Sequence, residues 1–235
     1  MSEEKHAQLE ADLRAWVMRL PPLTLASSLG AEDMVLTDMV LRLNLPVRIF
    51  TLDTGRLPES TYRLLDRIFE RYGQRIDVFW PEAEGVETLL QKQGANGFFH
   101  SVEARRACCG VRKVAPLHRA LKGYRGWITG LRRDQSPTRQ EVMAESWDDS
   151  LGLMKLNPLA TWSSDEVWAY IQRHQVPYNA LHDQGYASIG CAPCTRALRP
   201  GEQERDGRWW WEQALTKECG LHQSALTEEA TRVKA

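Results

Sequence analysis

The sequence predicts an α/β fold: a mostly parallel sheet with helices on both faces, carrying a C-terminal cysteine-containing segment. Three observations predict it. Short apolar or β-branched runs alternate with stretches of helical period from residue 3 to residue 174, and such alternation builds parallel sheets with crossover helices. Small-residue and glycine turns follow several of the runs, as strand-to-helix loops require. The 235 residues are 43% apolar and 26% charged, which is a globular balance with enough chain for one sizeable core and not that of a disordered chain.

Taken in order, residues 3–20 read as an amphipathic helix, with Leu9, Leu13, Trp16, Val17 and Leu20 at helical spacing and Pro21-Pro22 stopping it. Residues 23–26 form a short buried strand, and Ser27-Ser28-Leu29-Gly30 a small-residue turn into a helix over 32–43. The β-branched and aromatic run 47–52 is a second strand. Pro58 opens the next helix, where Tyr62, Leu65, Ile68, Phe69 and Tyr72 share a face. A third strand spans 76–80, closed by Pro81, with helical segments over about 84–93 and 111–122. Strands are expected at 127–129, ending at Gly130, and at 153–156. Ser163 with Glu166 three residues on forms a capping box for a helix through His174. From about 178 the pattern dissolves into Gly, Pro, Cys and Arg. Residues 1–177 are therefore expected to form the α/β domain, including the first cysteine pair, and 178–235 a functional segment packed on it with no independent core.

Composition excludes several classes. No apolar run approaches the roughly 18–20 residues that span a bilayer, so no membrane association is expected. The opening Met1-Ser2-Glu3-Glu4-Lys5-His6 has no basic stretch followed by an apolar one, so a cytoplasmic location is expected. A net charge of −1 and a pI of about 6.6 argue against nucleic-acid binding while allowing a local basic pocket for a small anion. Nothing in the sequence fixes oligomeric state, so a homo-oligomer stays open.

Four constellations carry chemistry. The turn Ser27–Asp33 joins a strand to a helix, where small residues and helix N–H groups favour a phosphate, although no Walker lysine follows. The second is Leu52-Asp53-Thr54-Gly55-Arg56, on the same sheet edge. There Asp53 is a candidate for ribose hydroxyls and Arg56 for an anion, against a plain helix cap. The third is the cysteine set: Cys108-Cys109, then Cys191 and Cys194 in a C-x-x-C pair 82 residues after Cys109. Four soft thiols suit zinc or an iron–sulfur cluster. The absent spacer in Cys108-Cys109 fits a cluster with several metal corners better than one tetrahedral ion. If its stretch is helical, Lys113 shares a face with these thiols. The fourth is the tail, with Arg196, Arg199, Arg205 and Arg208, then Trp209-Trp210-Trp211 and Glu218-Cys219-Gly220-Leu221-His222. The arginines are a candidate anion site, the tryptophans packing, and Cys219 a thiol that nearby cations would activate.

Together these stretches resemble one family, from about Leu23 to His222. The motifs S-S-L-G-A-E-D, L-D-T-G-R, C-C-G-V-R-K, I-T-G-L-R-R-D-Q-S, C-A-P-C-T-R, G-R-W-W-W-E and E-C-G-L-H are similar to those of the assimilatory adenylylsulfate (APS) reductases, the iron–sulfur branch of the phosphoadenylylsulfate reductase family. The resemblance implies an adenine-nucleotide α-hydrolase-like fold in which residues 1–177 bind nucleotide. It implies that Cys108, Cys109, Cys191 and Cys194 hold a [4Fe–4S] cluster and that Cys219 is the nucleophile. It places Lys113, Arg205 and Arg208 on the phosphosulfate, and Ser27, Ser28, Gly30, Gly130 and the loop Leu52, Asp53, Thr54, Gly55 along the nucleotide edge. Some relatives carry Ser where this chain has Leu29, a contact that Ser27 or Ser28 would have to replace. The expected reaction forms a Cys219 S-sulfonate with release of AMP, and thioredoxin or a similar dithiol protein then frees sulfite.

Three rivals remain at this level. A reductase of the 3′-phosphorylated substrate (PAPS), or a dual-specificity enzyme, is the nearest, and such relatives generally lack the cluster cysteines. An ATP-dependent RNA-thiolating enzyme of the related fold needs an S-G-G-x-D-S loop that Ser27–Asp33 does not match. A zinc-stabilised binding module leaves Cys219 and the arginines unexplained.

Overall fold

The computed structural model describes residues 2–212; Cys219 and the rest of 213–235 lie outside the described residues. Thirteen longer elements make the scaffold: α1 (Ser2–Arg19), β1 (Leu23–Ala26), α2 (Ala31–Arg42), β2 (Val47–Leu52), α3 (Glu59–Tyr72), β3 (Asp77–Phe79), α4 (Ala83–Gln93), α5 (Val102–Cys109), α6 (Ala115–Leu121), β4 (Gly126–Ile128), β5 (Glu145–Asp148), β6 (Leu153–Leu156) and α7 (Ser164–His174). The strands form one sheet in the order β3-β2-β1-β4-β6-β5. Every pairing is parallel except β5 on β6.

Side chains alternate across this sheet and bury on both faces. Leu23 and Leu25 of β1, Val47 and Ile49 of β2, Ile128 of β4 and Leu156 of β6 point into the larger core, with Leu9, Leu13 and Trp16 of α1, most of α2, Leu64 and Ile68 of α3, and Val167, Tyr170 and Ile171 of α7. Phe50 of β2 and Trp127 of β4 face the other way, against Leu117, Ala120 and Leu121 of α6. A third, smaller cluster gathers Phe98, Cys194 and Trp209, with Cys108, Cys191 and Trp211 against it.

Two elements differ from the sequence expectation. The strand β5 carries one large apolar side chain, Trp147, and that ring is 58% exposed, so no hydrophobic period announces it. Pairing with β6 creates it, and Glu145 at its start accepts hydrogen bonds from Trp16 Nε1 at 2.7 Å and from Arg19 of α1. Helix formation also begins earlier than residue 111. Ser101 accepts from the Ala104 N–H at 3.1 Å and starts α5. The helix then passes through a π-helical turn, Gly110–Val114, into α6. Such wide turns concentrate at functional sites. No helix among the described residues is long and apolar enough to cross a membrane.

The capping box at α7 forms as the spacing predicts. Ser163 Oγ accepts from Glu166 N–H at 3.2 Å and Glu166 Oε2 accepts from Ser163 N–H at 2.8 Å. Replacing Ser163 by Ala should lower unfolding free energy by about 1 kcal/mol, read as a lower urea midpoint at unchanged slope.

Candidate active site

The strand β1 lies between β2 and β4, so strand order reverses beside it, and open α/β sheets bind ligands at the carboxyl ends of strands at that point. A cavity opens there. Ser27, Ser28, Gly30, Leu52, Gly130 and Lys113 line it, with Arg205 and Arg208 from the C-terminal segment.

The turn after β1 is held by its own side chains. Ser27 Oγ accepts from Leu29 N–H at 3.2 Å, while the Ser28 N–H and Oγ–H both donate to Asp33 Oδ2 at 2.6 Å. Leu29 takes a φ of 62° and is fully buried. A non-glycine residue in the left-handed region is strained, and packing in the core keeps it there. Burial pushes the Asp33 carboxyl up to about 6, against the Ser28 hydrogen bonds that favour its charge. Gly130 packs directly on this turn: a Cβ there would run into the Asp33 carboxylate and come within 2.8 Å of Glu32 Cβ.

The loop after β2 divides its residues. Leu52 faces the cavity, but Asp53, Thr54 and Gly55 do not line it. Asp53 Oδ1 accepts from Gly55 N–H at 2.7 Å and Tyr62 Oη–H at 3.1 Å, so it orders the loop. Gly55 takes a φ of 69° beside the Arg112 guanidinium. Thr54 Oγ1 lies 3.2 Å from Cys191 Sγ, Thr54 O accepts from Arg112 Nη1 at 2.6 Å, and Arg56 O accepts from Ala192 N–H at 2.8 Å. This loop therefore fastens the second cysteine pair to the sheet.

The four described thiols are all free of disulfides. Cys108, Cys191 and Cys194 pack around Phe98 and Trp209, while Cys109 interacts with Arg105 one turn before it. Burial pushes the Cys194 thiol up to about 11 and raises Cys108 as well; Lys113 pulls both the other way, with Arg208 acting on Cys194 and Arg112 on Cys108. Among the described residues no three His, Cys, Asp or Glu side chains come close enough to hold a single metal ion.

Lys113 rides the π-helical turn and lines the cavity, and its charge reaches Cys108 and Cys194. Arg205 and Arg208 reach the cavity from the far side. Their guanidinium carbons lie 5.9 and 4.7 Å from the Trp209 ring centroid, and Arg105 lies 4.7 Å from it. The remaining tail arginines do not converge on the cavity. Arg196 pairs with Glu202 at 2.6 Å, and neither it nor Arg199 lines the space.

Sequence reasoning missed a buried triad. Arg132, 1% exposed, donates to Glu32 Oε1 at 2.8 Å and Glu204 Oε2 at 2.7 Å. Both carboxylates line the cavity, and Glu204 adjoins Arg205. Arg132 bridges both but offsets only one of their two negative charges; Lys113, Arg139, Arg205 and Arg208 also line the cavity, so cationic side chains outnumber carboxylates around it. The signal was the arginine pair in G-L-R-R-D, which says nothing of which arginine turns inward.

A family profile described as phosphoadenosine phosphosulfate reductase domain matches residues 22–197. The chain is 57% identical over 203 residues to an adenosine 5′-phosphosulfate reductase of Allochromatium vinosum, spanning 86% of this chain and 79% of that one. It is 49% identical over 223 residues to the protein of the same name from Burkholderia cepacia, spanning 95% and 89%. Among solved structures, a phosphoadenylyl-sulfate reductase from Candida auris in complex with phosphate superposes with a TM-score of 0.70 at 29% identity, covering 80% of this chain and 90% of that one.

Two outcomes follow from the cavity's charges. Arg132→Gln should weaken calorimetric binding of AMP about ten-fold, and adding Glu204→Gln should recover part of the loss. The carboxyl of Asp33, raised to about 6 in the fold against about 3.9 unfolded, binds its proton more tightly when folded. Its contribution to stability is thus full below pH ~4 and lost as pH rises to ~6. Urea unfolding at pH 4, 5 and 6 should show Asp33→Asn losing that decline relative to wild type.

Proposed function

The chain belongs to the phosphoadenosine phosphosulfate reductase family, and from that premise we infer that it reduces adenylylsulfate to sulfite and AMP in assimilatory sulfate reduction. The observation that carries this is the 57% identity, across 86% of the chain, to a relative that bears the adenosine 5′-phosphosulfate reductase name. The cationic cavity beside the thiols is the chemistry such a substrate needs.

In this reading the adenosine lies along the carboxyl edge of β1 and β4, against Leu52 and Gly130. The phosphosulfate meets Lys113, Arg205 and Arg208, whose charges offset the repulsion between an incoming thiolate and the anion. The thiolate of Cys219 attacks the sulfate sulfur. The sulfur–oxygen bond to the phosphate breaks, AMP leaves with that electron pair, and Cys219 carries an S-sulfonate. A thiolate of thioredoxin or a similar dithiol then attacks Cys219 Sγ, sulfite departs, and the donor's second thiol resolves the mixed disulfide, regenerating Cys219.

The residues also fit a [4Fe–4S] cluster held by Cys108, Cys109, Cys191 and Cys194. All four donors are soft, and a cluster presents its metals at separate corners, so it takes thiols that no single ion gathers. Two buried donors near these thiols, Arg112 Nε and Trp209 Nε1, have no hydrogen-bond partner among the described residues, and cluster sulfurs are acceptors of the kind they would need. When bound, the cluster supplies structure and charge; two-electron thiol chemistry requires no electron relay.

Cys219→Ser should retain iron and bind AMP, yet form no S-sulfonate and release no sulfite, because an alcohol is a poor nucleophile at neutral pH. Wild type mixed with adenylylsulfate and no dithiol should gain one sulfonate, mapped by peptide mass to Cys219; an adduct on Cys108 or Cys191 would overturn the assignment. Cys191→Ser should lose most iron, measured per chain after anaerobic purification, and full iron content would refute its role as a ligand.

A further inference from the structure

We propose that the buried pair Arg105–Glu212 is a tether that fixes the root of the Cys219 tail to the helix bearing the cysteine pair. It rests on the reading of Cys219 as the nucleophile. Glu212 is the last described residue, and Cys219 follows it by seven positions. A glutamate at the start of a terminal segment ordinarily projects into water. This one is 3% exposed and the arginine facing it is 1% exposed. They meet as a two-pronged fork, Arg105 Nε to Glu212 Oε1 at 2.6 Å and Nη2 to Oε2 at 3.0 Å. A buried ion pair contributes little net stability, and its clearest use is to specify one arrangement over others.

What it specifies here is the join between three parts. Arg105 belongs to α5, one turn before Cys109, and its guanidinium stacks at 4.7 Å on Trp209. Glu212 N–H donates to Trp209 O at 2.8 Å. Trp209 N–H in turn donates to Cys194 O at 3.2 Å, and Arg208 stacks on the same ring at 4.7 Å. The origin of the tail is thus referred to both cysteine pairs and to a cavity arginine. Seven residues extend at most ~24 Å, so the chain's covalent geometry bounds the distance between Glu212, where the pair holds it, and Cys219. Without the pair, the anchor that precedes Cys219 among the described residues is Trp209, ten positions before it rather than seven. The pair acts through the tail and touches no substrate, so Arg105 and Glu212 are positioning residues.

The test uses iron-loaded, full-length protein. Wild type, Glu212→Gln and Arg105→Lys are compared for iron per chain, AMP affinity, and the single-turnover rate of S-sulfonate formation on Cys219 by quench and peptide mass. Glu212→Gln should keep its iron and bind AMP within two-fold of wild type, while S-sulfonate formation slows about five-fold or more. Arg105→Lys, which keeps the charge but loses the fork, should fall between the two. A Glu212→Gln rate within two-fold of wild type overturns the tether. So does an AMP affinity that falls in parallel with the rate, or loss of iron from both variants, since the pair would then support the pocket or the cysteine site in general. If only Glu212→Gln sheds iron, Arg105→Lys decides by the same readings, with a rate within two-fold of wild type overturning the proposal. Failure of wild type to form the adduct on Cys219 would instead sink the reading of the nucleophile, an outcome separable from all of these.

Discussion

Three guanidiniums share the ring of Trp209. Arg105 and Arg208 sit 4.7 Å from its centroid and Arg205 5.9 Å, while the indole itself is 1% exposed. Like charges gather this closely only where something offsets their repulsion. The π-face does so for each, at ~0.5–2 kcal/mol apiece, and Glu212 pairs with Arg105. The backbone yields to this arrangement: Trp209 takes a φ of 41°, a left-handed conformation that costs a non-glycine residue about 1–3 kcal/mol and persists where packing overrides it. On one side of the indole lie Cys194 and Phe98; on another it lines the cavity. The cysteine site and the anion site are therefore built on a common part and cannot be displaced independently.

The same economy of charge governs the cavity. An anionic substrate needs surplus positive potential, yet Glu32, Asp33 and Glu204 all line the space. Arg132 spans Glu32 and Glu204, and burial pushes Asp33 toward its neutral form. Lys113, on the π-helical turn Gly110–Val114, lines the cavity and its charge pulls the Cys108 and Cys194 thiols down. This is the electrostatic link by which a cluster on the proposed cysteines would bear on the phosphosulfate.

The scaffold supplies the rigidity for this. Parallel strands end at one edge, so the loops after β1, β2 and β4 meet there without a long connection. Each loop is closed by local bonds: Ser28 on Asp33, Asp53 on Gly55 and Tyr62, Gly130 against α2. Thr54 and Arg56 carry that order outward to Cys191 and Ala192. The described part of the C-terminal segment is thereby tied to the sheet through a few directed contacts.

Sequence by itself determined the parts governed by local rules. Leu23–Ala26 and Val47–Leu52 are nearly continuous buried runs, the Ser163/Glu166 box caps α7, and the small residues of Ser27–Gly30 mark the turn between β1 and α2. The motif resemblance, from S-S-L-G-A-E-D to E-C-G-L-H, determined the family, while cysteine spacing alone left zinc and a cluster both open. Tertiary structure decided the rest. It created β5 from a polar segment, since pairing with β6 needs no hydrophobic period. It set Asp53 to bond its own loop and Thr54 to meet Cys191, and it kept Arg205 and Arg208 at the cavity while pairing Arg196 with Glu202. Most of all it chose which charges to bury: Arg105, Arg132 and Glu212 read in the sequence as ordinary surface residues. Their partners lie 107 residues apart for Arg105 and Glu212 and 100 for Arg132 and Glu32, a separation over which no local pattern carries information and only the packed fold brings the charges together.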